Sequence, residues 1–339
     1  LTTGGNNVAV GYNALSSEDT GGKNTAIGWN AMSSLDAGGN GNNVSVGFNS
    51  SNSMTTSVAS TIVGSEAGRD ITTGNYNTAL GYLALSSEEA GSHNVAIGYL
   101  ALEDQNTGND AYNIAIGSNA GKQITTGVRN VVVGGLAGDA ITTANYNTAV
   151  GHGALSGEDT LNGNTAIGYN ALTVANGGSF NCAVGYEAGD SMTTGDNNTL
   201  LGTQAGDSLT TGSNNIVIGY GAAASAVGVD DEITLGNANN DTIRAAVQTI
   251  SALSDERDKT NIQGSPYGLD FIDKLNPVTF DWNTRDGSRK GKKDLGFIAQ
   301  ELDAVDDEYT QLVYKSNPDK LEASYGRLVP VLVKAIQEL

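Results

Sequence analysis

The chain predicts a mainly β, repetitive fold rather than a globular one, and three observations carry this. A pentad of Asn, a β-branched residue, a small residue, a large aliphatic and Gly recurs along its length, as in Asn24-Thr25-Ala26-Ile27-Gly28 and Asn77-Thr78-Ala79-Leu80-Gly81. The closing Gly occurs fourteen times between Gly11 and Gly236, at eleven intervals of 17 residues and two of 19. A fixed period of this size means units stacked along one axis, each touching only its neighbours. Composition then breaks: residues 1–254 hold 40 of the 46 Gly and no Pro, whereas the last 85 residues hold all four Pro. The expected organisation is a β-repeat shaft over 1–236, a neck over 237–253 and a small α+β unit over 254–339.

Within each repeat, the three residues before Gly form a strand. The first and third are β-branched or aliphatic and share one face; the middle one, Ala in eight copies, points the other way. The Gly permits a sharp turn or a positive φ. The polar second half, such as Asp70-Ile71-Thr72-Thr73-Gly74, can supply one more short strand and a Gly turn. Asn precedes the strand in twelve of fourteen copies. Two readings of it stay open: a ladder of stacked side chains, or local turn chemistry. Each rung hides few aliphatics, so its core is too thin to stand alone. The Ala face, with Ala96 and Ala166 as examples, is expected to meet other chains.

The neck reads as a polar turn and an alternating strand (Ile243, Ala245, Val247, Ile250). The last segment ends in a helix in which Leu328, Leu332, Ala335 and Leu339 make an a/d seam, with Pro330 tolerated in the first turn. This seam is expected to start a three-stranded coiled coil cut short at Leu339.

Charge excludes some partners. The chain carries a net −20, and residues 1–254 hold five basic against 21 acidic residues. Such a surface repels nucleic acid and anionic membranes. No run of 18 apolar residues exists, so no membrane insertion is expected. The basic run Arg285, Arg289, Lys290, Lys292 and Lys293 lacks interleaved aromatics and reads as a solvated loop. Cys182 fills the β-branched slot and reads as core; His93 and His152 sit at non-equivalent positions, so no metal or cofactor is expected. Leu1 opens inside a repeat, which points to a piece of a longer chain.

The repeats resemble the head repeats of trimeric autotransporter adhesins and the repeat shafts of phage tail fibres. That resemblance implies a trimeric parallel β-roll or β-helical rod. The C-terminal motifs follow in order: Ser254-Asp255-Glu256-Arg257-Asp258-Lys259, Leu275-Asn276-Pro277-Val278-Thr279-Phe280-Asp281-Trp282, Leu295-Gly296-Phe297-Ile298-Ala299-Gln300-Glu301-Leu302 and Tyr325-Gly326-Arg327-Leu328. They resemble the S74-type intramolecular chaperone, a self-cleaving peptidase domain of phage tail spikes and fibres. The resemblance implies a homotrimer folded by this domain, then cut by a dyad of Ser254 and Lys259, with Leu253 and Asp255 flanking the cleavage site. Any enzymatic activity would be confined to that self-cleavage. Chemically, a serine hydroxyl needs a neutral base beside it; Ser254 could alternatively cap the following helix. Asp258 stands where the family has an apolar residue, and a carboxylate there favours charged lysine. The expected role is a virion tail fibre that attaches to a host surface receptor, a glycan or outer-surface protein, and joins other tail proteins through a missing N-terminal region. A cell-surface adhesin and a glycan-cleaving spike are the alternatives, although the acidic residues recur as turn elements and offer no unique carboxylate pair.

Overall fold

The computed structural model describes residues 4–157, 160–240, 244, 254–285 and 289–339. The expected neck strand (Ile243, Ala245, Val247, Ile250) and Leu253 lie outside the described residues. The chain divides into two units, Leu1–Asn237 and Ala238–Leu339.

The first unit is a β-solenoid. Its fourteen three-residue strands, from β1 (Val8–Val10) to β14 (Ile233–Leu235), form one parallel sheet in chain order. Thr165, for instance, sits over Thr148 and under Cys182. Each rung therefore contributes one strand, not two. The polar half runs as turns and bends that still bond from rung to rung, as Thr55 N–H does to the Thr72 carbonyl at 2.9 Å. The Gly after each strand has positive φ. A Cβ on Gly168 would meet the Gly185 carbonyl oxygen, so the backbones approach too closely there for any side chain.

The Asn column resolves as a ladder. The Oδ1 of every strand-preceding Asn accepts the backbone N–H one rung on, from Asn24 on Asn7 at 2.8 Å to Glu232 on Asn215 at 2.9 Å. At the one interruption Ser60 takes the part, its Oγ accepting from Asn77 N–H at 3.2 Å. Except at Asn24 and Asn94, which open the two 19-residue rungs, the Nδ2 ties down the turn of the next rung, as from Asn147 to the Leu161 carbonyl at 2.7 Å. Some amides also bond directly, Asn215 to Asn198 at 3.0 Å. From Asn24 onward these side chains are buried. Losing one leaves buried backbone groups unpaired, at about 1–3 kcal/mol each.

The structure reverses the expected faces of the strand. Ala26, Ala96 and Ala166 are fully buried inside their own chain. The β-branched and aliphatic slots point outward, with Ile27 38% and Leu80 48% exposed. The solenoid is thin: the inward middle slot is Ala in eight rungs, with Ile62, Val132, Leu200 and Val217 buried there in others. Cys182 is accordingly half-buried on the outer face rather than in the core.

Two core layouts alternate. In one, a Leu or Met three residues after an outward aromatic fills the interior, as Leu85, Leu102, Leu155 and Leu172 do. In the other that slot is Gly, and an Ile, Met or Leu three residues later reaches into the vacated space. A Cβ on Gly138 would lie 2.8 Å from Ile141 Cδ1 and 2.7 Å from Val132 Cγ1. The layouts come in pairs, so the core repeats every four rungs, and Leu15, Leu85 and Leu155 mark the period. Glu18 and Glu88 are buried in Leu-type rungs and cap the turn of the following 19-residue rung. Glu88 accepts from Gly91 N–H at 2.7 Å, Gln105 Nε2 at 2.9 Å and Thr107 N–H at 3.3 Å.

The second unit has two antiparallel hairpins, β15 (Val278–Asp281) with β16 (Lys293–Gly296) and β17 (Val313–Tyr314) with β18 (Glu322–Ala323). Helices α1 (Leu269–Ile272), α2 (Ala299–Asp303) and α3 (Leu328–Glu338) surround a core of Phe271, Leu302, Leu312, Val313, Leu328 and Val331. The expected a/d seam of α3 is displaced. Leu328 and Ala335 are buried with Val331, whereas Val329, Leu332, Ile336 and Leu339 lie outward at 3-4-3 spacing, with Ile336 69% exposed. The helix is apolar nearly all round, so its hydrophobic pattern alone did not fix which stripe faces in.

The alternating core makes a compensation measurable. Gly138→Leu should destabilise the shaft by about 1–3 kcal/mol through overpacking. Adding Val132→Ala and Ile141→Gln, which converts the rung to the other layout, should restore most of that loss in urea melts. Equal stability of the single and triple variants would mean the two layouts are not coupled.

Candidate functional site

The candidate site opens the second unit. Asp255 begins a single 3₁₀ turn, Glu256–Asp258, and its carboxylate accepts Arg257 N–H at 2.9 Å. The cap is thus Asp255, not Ser254. The same carboxylate pairs with the Arg257 guanidinium through Nε at 3.0 Å and Nη2 at 2.5 Å. This side-chain bond, with the backbone N–H, holds the Asp255 carboxyl below the usual range. Lys259 closes the turn, its N–H bonding the Glu256 carbonyl at 3.1 Å.

One such turn brings residues five apart face to face. Lys259 Nζ lies 2.6 Å from Ser254 Oγ and 3.2 Å from the Ser254 carbonyl oxygen. Asp255 supplies the cap, which leaves the Ser254 hydroxyl to Lys259. Both residues are exposed. A lysine at this distance is placed to take the hydroxyl proton once neutral, and that transfer is what makes serine a nucleophile.

Residues 254–314 match the family described as chaperone of endosialidase, Peptidase S74. No curated protein and no solved structure matches the chain. A domain of this kind and a β-solenoid repeat rod together fit a phage tail fibre. The matched stretch is not a complete folding unit. Leu328 and Val331, beyond its end, belong to the core. The Glu338 carboxylate accepts Leu269 N–H at 2.7 Å and so holds the start of α1.

Three further carboxylates organise the unit. Tyr267 donates to Asp307 at 2.6 Å, which holds Asp307 low and pushes Tyr267 up to about 12. Burial raises Asp306, but the N–H of Leu312, the Thr310 hydroxyl and the Val313 N–H outweigh it and hold it low. The Leu269 N–H, with Lys334, lowers Glu338. Sequence reasoning missed these residues, since nothing in their local pattern separates them from solvated acids.

The basic loop is tied to its own hairpin and to the turn between β17 and β18. Arg289 lies over the Trp282 ring at 4.9 Å, Arg285 donates to the Asp319 carbonyl, and Lys293 pairs with Asp281 at 3.2 Å. The two histidines stand in aromatic stacks on the shaft. His93 lies between Tyr76 and Tyr112 at 4.9 and 4.8 Å, and His152 stacks on Tyr169 at 5.7 Å. Among the described residues no group of three or more His, Cys, Asp or Glu could hold a metal ion, and no helix is long and apolar enough to cross a membrane.

The depressed carboxylates give a pH prediction. Asp306, Asp307 and Glu338 have lower pKa values folded than unfolded. Their contribution is complete above the ordinary carboxylate range of about 4 and is lost as pH falls through the folded values. The second unit should therefore melt at steadily lower temperature below about pH 4. Asp307→Asn should flatten part of that slope in calorimetry; an unchanged slope would remove Asp307 from this account.

Proposed function

We propose that this chain is the distal part of a phage tail fibre, a homotrimer assembled with the aid of its C-terminal chaperone domain and used for attachment to a host cell. The observation that carries this reading is an uncharged apolar ribbon on the solenoid, in a chain that also has a chaperone-of-endosialidase match. The outward slots of all fourteen strands hold no Asp, Glu, Lys or Arg, although the shaft is strongly acidic elsewhere. Monomeric proteins rarely expose apolar patches beyond a few hundred Å². This one repeats in every rung. Like-charged copies can approach closely only through a face free of charge.

Slow, multi-chain parallel β structure needs its chains held together and in register while it winds. The outward stripe of α3, from Val329 to Leu339, supports that role for the second unit, since 3-4-3 apolar spacing is coiled-coil spacing. The host receptor is a surface glycan or protein.

Two measurements test assembly. Light scattering on the full chain should give a trimer, in which Cys182 reacts with Ellman's reagent much more slowly than in the denatured chain. A chain ending at residue 253 should give little soluble trimer. Soluble trimers from that truncation would remove the chaperone role, and a monomeric full chain would remove the homotrimer.

Self-cleavage is assigned to Ser254 as nucleophile and Lys259 as base, with the scissile bond beside Ser254, between Leu253 and Asp255. Lysine accepts the proton only when neutral, and Asp258 stands beside it in sequence where the family has an apolar residue. Cleavage on a denaturing gel should therefore quicken at alkaline pH and in Asp258→Leu. Ser254→Ala and Lys259→Ala should stay intact yet assemble. A wild-type chain and Asp258→Leu that both remain uncut at every pH would leave Ser254 a turn residue only.

A further inference from the structure

Two columns of large side chains border the outward face of the strands. One follows the strand and its Gly; in it Tyr82 stacks on Tyr99 at 5.7 Å and Tyr169 on Tyr186 at 5.2 Å. The other precedes the strand by two residues, at a corner where the backbone has positive φ, 58° at Tyr76 and 60° at Phe180. Bulky residues are uncommon in that conformation. Toward either end of the shaft the corner holds Asn, Lys23, Ala59 or Asp231, but from Tyr76 to Phe180 the column holds rings and one guanidinium, interrupted only by Gly163. Arg129 continues the stack, its guanidinium 5.6 Å over Tyr146.

The stacked rings show their edges, so they form no flat platform for a sugar ring. They do form two margins: across these seven rungs, three set a large side chain opposite a small one and four set two rings opposite each other. Tyr112 faces Ser118 across the strand, Arg129 faces Gly135, and Gly163 faces Tyr169. Where one margin is small the other is large, and where both are large, as at Tyr76 and Tyr82, both are aromatic. Within one chain the two margins lie up to about 20 Å apart, six steps of about 3.3 Å. At that distance they do not touch within one chain.

We infer that the margins meet between chains: the corner column of one protomer packs, rung for rung, against the post-glycine column of the next copy. This rests on the homotrimer reading. Three flat faces around a threefold axis make a triangular prism, and at each of its edges the leading margin of one face meets the trailing margin of its neighbour. That contact is heterologous and closes after three copies. A rotation axis along the rod keeps equal rungs level, so Tyr112 meets Ser118 of a second copy and Lys23 meets the edge of Trp29. With thirteen rung steps of about 4.8 Å and a width of about 20 Å, each face offers about 1,200 Å². A stable interface takes about 800 Å² per partner.

Cysteine pairs in the full chain, with Cys182→Thr to remove the native thiol, test the contact. Tyr112→Cys with Ser118→Cys should link into covalent trimers on a non-reducing gel after mild oxidation or with a short bismaleimide. Tyr112→Cys with Ser65→Cys, three rungs out of level, should not, nor should Tyr112→Cys alone. Trimers by light scattering that fail to link, or that link equally in the mismatched pair, overturn the rim contact and leave the trimer standing. A monomer by light scattering overturns both.

Discussion

The solenoid depends on one side-chain amide per rung. Each strand-preceding Asn closes its own rung to the next through Oδ1, and all but Asn24 and Asn94, which open the two 19-residue rungs, pin the following turn through Nδ2. The amide sits in a narrow, dry interior, so its bonds have no water to replace them. That requirement dictates much else. The residue before it must turn the corner at positive φ, the strand must place its small residue beside the amide, and the Gly after the strand must let the next backbone pass close. Displacing a strand by one residue would expose the amide and flip every side chain to the other face.

A core this thin decides where the hydrophobic energy goes. The interior takes Ala in eight rungs and only one or two large apolar side chains per rung, while the Val, Ile and Leu of the outward strand slots remain outside. Burial that a globular protein completes within one chain is here left incomplete along the outward face of the strands. The second unit follows the more usual plan, with Phe271, Leu302 and Leu312 inside and carboxylates tying loops to helix ends.

Much of this was legible in the residues. The period, the strand and its Gly follow from spacing, and the pairing of Ser254 with Lys259 matches the motif that pointed to it. The inside of the strand was not legible, because alternation separates two faces without saying which is buried. Charge and size would have helped: a slot that is Ala in eight copies and never charged suits a narrow interior. The α3 stripe was misplaced by a similar ambiguity, since Leu328 and Val329 are equally apolar neighbours. The four-rung core escaped because its signal is a trade between slots three residues apart, Leu with Glu or Gln in one layout and Gly with Ile or Met in the other.

The four-rung rhythm also bears on how such a chain goes wrong while winding. A rod of identical rungs has no landmarks: looping out any one of them would leave neighbours that fit. Here an omitted rung sets a Leu-filled layer against one that expects a Gly, and strands one of the buried Glu residues from the longer turn it caps. Only an omission of four rungs restores matching layers, a shortening of about 19 Å. The pairing of core layouts thus acts as an error-detecting code, tolerant of large slips and intolerant of the small ones that a repetitive chain makes most often.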